Sequence, residues 1–257
     1  MIKNHKNTEQ ITKELSILIS LYGLSFKIES LFSGEKKFFE YLFSPINSVQ
    51  LTKKLNQIIE ERSILKENFK KINLVYHNNL NTLVPEKVFQ KKYASSFLQK
   101  NVKILPTDFI EYDLFSTFQL VNVYVPFNFV KDYFKGSLIS TQHSATYFFN
   151  KLPQIRKSKE ELSLYEIFLN IFPYDFQIIV LKNERLELYN HFTYENVDEF
   201  LYYFFFVLET LKIPENNFHV YIVGIEKEHL LIKNLNDFTN KMSIIPPRMT
   251  SQLNNFI

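Results

Sequence analysis

The stretch LSILISLYGLSFKIES, residues Leu15–Ser30, decides the reading of the fold. Its two apolar-rich runs, LSILIS and LSFKIES, alternate as strands with one buried face do, and they meet at Leu21-Tyr22-Gly23. Gly23 is expected to carry the positive φ of the turn, a conformation that costs a residue without a Cβ nothing. Gly34 turns the chain into a third strand around 37–43. Asn47, with Gln50 three residues on, has the form of a capping box, and Leu51, Leu55, Ile58 and Ile59 follow at helical spacing. A short buried strand, Ile72–Tyr76, closes the unit.

The same order returns further along the chain. Phe168–Phe172 and Phe176–Leu181 read as strands meeting at Pro173-Tyr174-Asp175, and Asn183-Glu184 turns into a third strand, Arg185–Phe192. Asn196, with Glu199 three residues on, caps a helix that Pro214 ends, and Phe218–Val223 closes the second unit. Laying Leu24-Ser25-Phe26-Lys27 over Phe176-Gln177-Ile178-Ile179 sets Gly23 over Asp175 and Tyr22 over Tyr174, so both turns hold a residue that tolerates positive φ. Between the repeats, a helix is expected over 86–99, strands over 108–114 and 120–125, and a helix over 129–134 ending at Gly136. Leu138–Thr141 then leads into a helix over 144–152. The charges and Pro153 of the stretch 151–161 mark a boundary. It separates an N-terminal lobe, 1–157, with an inserted strand–helix segment at 101–152, from a C-terminal lobe, 158–257.

Leu201–Leu208, LYYFFFVL, is apolar on every side of a helix. It is expected to bury more than one face, one on its own sheet and another on the opposite lobe or on a partner chain. Tyr202, Tyr203, Phe205 and Phe206 are its candidate partner-facing residues.

Composition excludes several chemistries. The chain has no Cys, so disulfides, thiolate metal sites and cysteine nucleophiles are out. Its four glycines, Gly23, Gly34, Gly136 and Gly224, are too dispersed for a GxGxxG or Walker A loop, which needs clustered glycines for close backbone approach to phosphate. Met1–Glu14 is polar, without the apolar core of a signal peptide, and Leu201–Leu208 is far shorter than the ~20 residues that cross a bilayer. The expected location is cytoplasmic. The net charge of +3 is spread over lysine pairs in separate segments, which reads as solvated surface, and nucleic acid is not the expected partner. The histidines show no HExxH spacing. Ser144, next to His143, reads as a helix cap rather than a nucleophile beside its base. Glu111 and Asp113 would share one strand face and Asp108 the other, marking the solvent side of an edge strand.

The repeated unit of three antiparallel strands, a helix and a strand resembles the actin, sugar-kinase and heat-shock ATPase superfamily. Val121–Leu152, VNVYVPFNFVKDYFKGSLISTQHSATYFFNKL, resembles a strand–helix–strand–helix stretch of actin-like pilus-assembly and type II secretion proteins. Leu230–Phe238 followed by Ser243-Ile244-Ile245-Pro246-Pro247 resembles their ending. LVYHNNLNTLVPEKVF at Leu74–Phe89, NVKILPTDFIEYDL at Asn101–Leu114, VNVYVPFN at Val121–Asn128 and FLYYFFFVLE at Phe200–Glu209 are similar to a Bacteroidetes family of unknown function, number 3822 in the domain-of-unknown-function series.

The likeness implies an α/β, duplicated actin-like (ribonuclease H-like) fold of two lobes, each with a mixed sheet and helices. It also implies two hairpin turns with an Asp-x-Gly pattern that organises Mg²⁺ and phosphate. Here Leu21 stands where the first Asp belongs, before Gly23. The second turn offers Asn170-Ile171-Phe172 or Pro173-Tyr174-Asp175, depending on alignment, and the paired glycines that meet adenosine are reduced to Gly224. The degenerate positions are therefore Leu21, Gly23, Asn170, Phe172, Asp175 and Gly224. The expectation is a protein without catalytic residues, metal or cofactor, acting as a scaffold or adaptor for another protein, with homodimerisation left open. The alternatives are an RNA- or membrane-surface module using lysines and aromatics, and a small-molecule sensor using the cleft between the lobes.

Overall fold

Alternation in the opening stretch becomes a hairpin. In the computed structural model, which describes residues 13–134, 137–156, 163–215, 217–239 and 241–245, β1 (Lys13–Ser20) pairs antiparallel with β2 (Gly23–Ser30), Ser20 opposite Gly23. The turn is thus Leu21-Tyr22, and Gly23 is a strand residue. Positive φ falls on Gly34 and Gly224 instead. Ser20 makes a glycine turn unnecessary: its Oγ accepts from the Tyr22 N–H at 3.3 Å and donates to the Gly23 carbonyl at 3.0 Å.

β3 (Lys36–Leu42) adds to β2, and α1 (Ser48–Glu61) opens on the expected capping box of Asn47 and Gln50. Leu51, Leu55 and Ile58 turn inward, and β4 (Lys71–Tyr76) returns parallel to β1. A small antiparallel sheet follows, ordered β5-β7-β6, from β5 (Asn81–Pro85), β6 (Glu111–Phe115) and β7 (Leu120–Tyr124). The continuous helix expected over 86–99 is not there. Glu86–Val88 and Lys91–Tyr93 are 3-10 turns, and only Ala94–Leu98 (α2) is α-helical. Phe89 and Gln90 between them are extended. Their extension breaks the helix and sets the Phe89 ring against Phe97 and Tyr112. Asn128–Phe134 is likewise 3-10, and Gly136 lies outside the described residues. β8 (Leu138–His143) completes a five-stranded sheet, β3-β2-β1-β4-β8. α3 (Ser144–Ile155) runs past Leu152 through Pro153, anchored by the buried Leu152 and Ile155.

The second unit repeats the plan. β9 (Tyr165–Ile171), β10 (Asp175–Lys182) and β11 (Arg185–Thr193) form the antiparallel meander, with both Asn183 and Glu184 at positive φ, as a two-residue primed turn requires. α4 (Val197–Thr210), β12 (Phe218–Val223), α5 (Leu230–Asn236) and β13 (Met242–Ile245) follow. The order β11-β10-β9-β12-β13 matches the first sheet strand for strand. Pro246 and Pro247 lie outside the described residues.

The chain divides into two compact units between Tyr147 and Phe148, inside α3; residues 157–162 of the expected boundary lie outside the described residues. Each unit has its own core. The first packs Leu15, Ile17, Ile19, Leu24, Phe26 and Ile28 under α1; the second packs Ile167, Leu169, Ile171, Phe176, Ile178 and Val180 under α4. The two sets correspond at one constant shift, Leu15 to Ile167 and Ile28 to Val180 alike. That constancy makes the repeat a property of the packing as well as of element order.

Candidate functional site at the hairpin corners

The two corners occupy equivalent places in their units. In the second, the Phe172 N–H donates to the Asp175 carbonyl at 2.9 Å, leaving Pro173-Tyr174 as the turn. This resolves the alignment: Leu21 answers to Pro173, Tyr22 to Tyr174 and Gly23 to Asp175. Neither two-residue turn contains a carboxylate, an amide or a glycine. Leu21 packs against the first core, and Tyr22 is buried, its ring edge-on to His77 at 5.9 Å.

Asp175 is not a turn residue. It begins β10, is buried, and its Oδ1 lies 3.0 Å from His191 Nε2 on β11. Asn170 sits inside β9, where its amide donates to Gln177 at 2.9 Å and its buried Oδ1 finds no hydrogen-bond partner among the described residues. Phe172 is buried, and its carbonyl accepts from the Tyr194 hydroxyl at 2.6 Å. Burial, with the Asp175 charge adding to it, pushes the Tyr194 hydroxyl far above its ordinary range and keeps it a donor.

Gly224 ends β12 at φ +105°, and a Cβ there would lie 2.2 Å from the Ile171 carbonyl oxygen. This glycine is explained by the close approach of β12 to the end of β9. Beside it opens a depression of about 480 Å³, lined by Phe172, Tyr174, Tyr194, Gly224, His229 and Leu230 among others. His229 caps α5, its Nδ1 accepting from the Leu231 N–H at 3.2 Å. Burial lowers the His229 pKa, which favours the neutral imidazole that this cap needs. Apart from Glu195, Asn196 and His229, the depression is walled by apolar and aromatic residues and Gly224. Its chemistry suits an apolar contact better than a metal–phosphate group.

A second polar centre lies in the first unit, and sequence reading placed it wrongly. β6 is an edge strand, and Glu111 and Asp113 do share a face, but that face turns inward. Asp113 accepts from the His143 backbone N–H at 2.8 Å and from Tyr124 Oη at 3.1 Å, while Glu111 accepts from Thr141 at 3.0 Å and pairs with Lys131. The Asp113 carboxyl thereby caps a backbone N–H on the outer edge of β8. Burial outweighs these bonds and pushes its pKa up to about 6. Ser144 opens α3 with its Oγ 2.8 Å from His77 Nδ1, and it is His143 Nδ1 that accepts from the Ala145 N–H. The signal that could have revealed this centre is the order of polar residues on β7: Asn122 and Tyr124 alternate with Val121 and Val123, so both faces of that strand are buried.

α4 packs on more than its innermost stripe: Leu201, Tyr203, Phe205 and Leu208 are partly buried against the core as well. Phe200, Phe204 and Val207 are buried, but Tyr202 is 63% exposed and Phe206 48%. Of the four candidate interface residues, Tyr203 stacks on Phe192 at 4.6 Å and Phe205 packs on Phe238 at 4.6 Å. Tyr202 and Phe206 stay exposed as a stacked pair one helical turn apart, with Tyr202 also edge-on to Tyr203 at 5.3 Å. Among the described residues, no helix is long and apolar enough to cross a membrane.

Two five-stranded mixed sheets with identical order, each with its helix crossing between third and fourth strands, define an actin-like α/β fold. Solved structures agree. A Bacteroides thetaiotaomicron protein with an actin-like ATPase fold and unknown function superimposes with a TM-score of 0.76 at 18% identity, over 95% of this chain and 94% of that one. The PilM–PilN type IV pilus biogenesis complex gives a TM-score of 0.60 at 13% identity, over 90% and 88%. The family described as "Protein of unknown function (DUF3822)" matches residues 3–242, and the chain belongs to it. A search of curated proteins found no significant match.

Proposed function

We propose that this protein is a binding member of the actin-like fold, a scaffold or adaptor for another protein, that neither holds nor hydrolyses ATP. The observation that carries the reading is the pair of corner turns, Leu21-Tyr22 and Pro173-Tyr174. The side chains of a leucine and a proline offer no oxygen to ligate Mg²⁺ or orient water, and each is followed by a tyrosine rather than a small residue that would let phosphate approach. Gly224 supports it, being committed to the Ile171 carbonyl. The structural likeness to a protein solved in complex with its partner, PilM with PilN, supports a protein-binding role. Tyr202 and Phe206 are the surface we assign to the partner, since aromatic anchors dominate protein interfaces. The test is thermal denaturation with and without Mg-ATP, run beside a phosphate-release assay. The melting point should be unchanged and phosphate release should equal the blank; a rise of several degrees or measurable turnover would overturn the reading.

A further inference from the structure

We infer that the connection between β5 and β6 is a docking surface for an anionic lipid bilayer. Residues 86–110 hold Lys87, Lys91, Lys92, Lys100 and Lys103 against Glu86 and Asp108, a net +3 equal to the formal net charge of the whole chain. All five lysines are exposed. Elsewhere in the first unit Lys13, Lys27, Lys36, Lys37 and Lys131 are paired with carboxylates. In the connection three of the five, Lys91, Lys92 and Lys100, meet rings instead. Lys91 Nζ lies 6.0 Å from the Tyr112 centroid, Lys92 Nζ 4.7 Å from Tyr93 and Lys100 Nζ 5.8 Å from Phe97.

These contacts form one row. Lys100 sits on Phe97, Phe97 is 6.3 Å from Phe89, Phe89 is 4.9 Å from Tyr112, and Lys91 closes the far end. The row lies over the small core of Val84, Ala94, Leu98, Val121 and Val123, so it is a built layer rather than a set of loose side chains. The ammonium groups keep their charge unneutralised. The same connection exposes Val88, Tyr93, Leu105 and Phe109, the last two at 59% and 68%.

Cations that among the described residues have no acidic partner, beside exposed aliphatic and aromatic side chains, are what a headgroup–acyl boundary takes up. Single-stranded nucleic acid fits less well. It would stack on free ring faces, and here ammonium groups lie over Tyr112, Tyr93 and Phe97; it would also leave Leu105 and Val88 with nothing to cover them.

The test is co-sedimentation of the full chain with phosphatidylcholine vesicles and with mixed phosphatidylglycerol–phosphatidylcholine vesicles, beside anisotropy with a labelled oligouridylate. The chain should sediment with the anionic vesicles only, and added salt should release it. Lys91→Gln/Lys92→Gln/Lys100→Gln should weaken partitioning about a hundredfold, and Leu105→Ser/Phe109→Ser at least about tenfold. Lys53→Gln/Lys54→Gln on α1 should leave it unchanged. Circular dichroism melts confirm that each variant is folded. Equal sedimentation with both vesicle types, retention by the triple-lysine variant, or tighter binding to the oligouridylate would each overturn the proposal.

Discussion

The two sheets share a strand order and a core pattern but differ on their second faces. Beneath α1 and α4 the same positions are apolar in both. On the other side, the first sheet has Ser16, Lys27 and Asn73 where the second has Phe168, Ile179 and Tyr221, with Phe168 stacked on Tyr221 at 4.7 Å, whereas Leu18 answers to Asn170 and Ser25 to Gln177. The helices differ in the same way. Leu51, Leu55 and Ile58 answer to Phe200, Phe204 and Val207 at one constant shift, yet the outer face of α1 is Lys53, Lys54 and Gln57 where α4 shows Tyr202 and Phe206. One face of each sheet and one stripe of each helix keep the same apolar pattern in both units. Outside them the matched residues differ, although β9 and β10 are buried on both faces.

The sharpest way to break the comparison is to attack matched core positions. Phe204→Ala should cost about 3–5 kcal/mol and Leu55→Ala about 2–5 kcal/mol in urea titrations. If either costs less than about 1 kcal/mol, its unit is not built on that stripe. Next come the two positive-φ glycines, which separate crowding from backbone strain. Gly224→Ala drives a Cβ onto the Ile171 carbonyl and should cost on the order of 3 kcal/mol or more, while Gly34→Ala, with open space around it, should cost only about 1–2 kcal/mol.

Asp113 distinguishes the first unit by pH. Its folded pKa of about 6 lies above the ordinary value of 3.8, so the folded state binds the proton more tightly. Stability should therefore fall as pH rises from about 4 to about 6, by on the order of 2 kcal/mol, and then level off. Denaturation across that window should show the slope in the wild type and lose it in Asp113→Asn. The caps are smaller and should match: Asn47→Ala and Asn196→Ala should each cost about 1 kcal/mol in melting experiments, since both side chains accept from the backbone three residues on. Smallest of all, Tyr202→Ser should change the melting point by no more than ~0.5 kcal/mol allows, because Tyr202 is exposed.

Much of this was legible because helix starts and strand alternation are local signals. Asn47 with Gln50, Asn196 with Glu199, and Asn183-Glu184 each announced an element that formed where expected, and together they made the repeat visible. What was hidden depends on contacts distant in sequence. Asn81–Pro85 becomes a strand only because Leu120–Tyr124 is there to pair with it. The helical look of 86–99 yields to the packing of Phe89 on Tyr112. Asp113 looked like surface because its partners, Tyr124 and His143, arrive from other strands. At the corners, Ser20 closes the first turn through its hydroxyl, a job that spacing alone gave to Gly23.

The proposal that the two corners hold no nucleotide rests on their turn residues, Leu21-Tyr22 and Pro173-Tyr174. Isothermal titration of Mg-ATP into the purified chain tests it directly. The account predicts heats no larger than those of dilution. A saturable isotherm that Gly23→Val or Tyr174→Ala alters would contradict it.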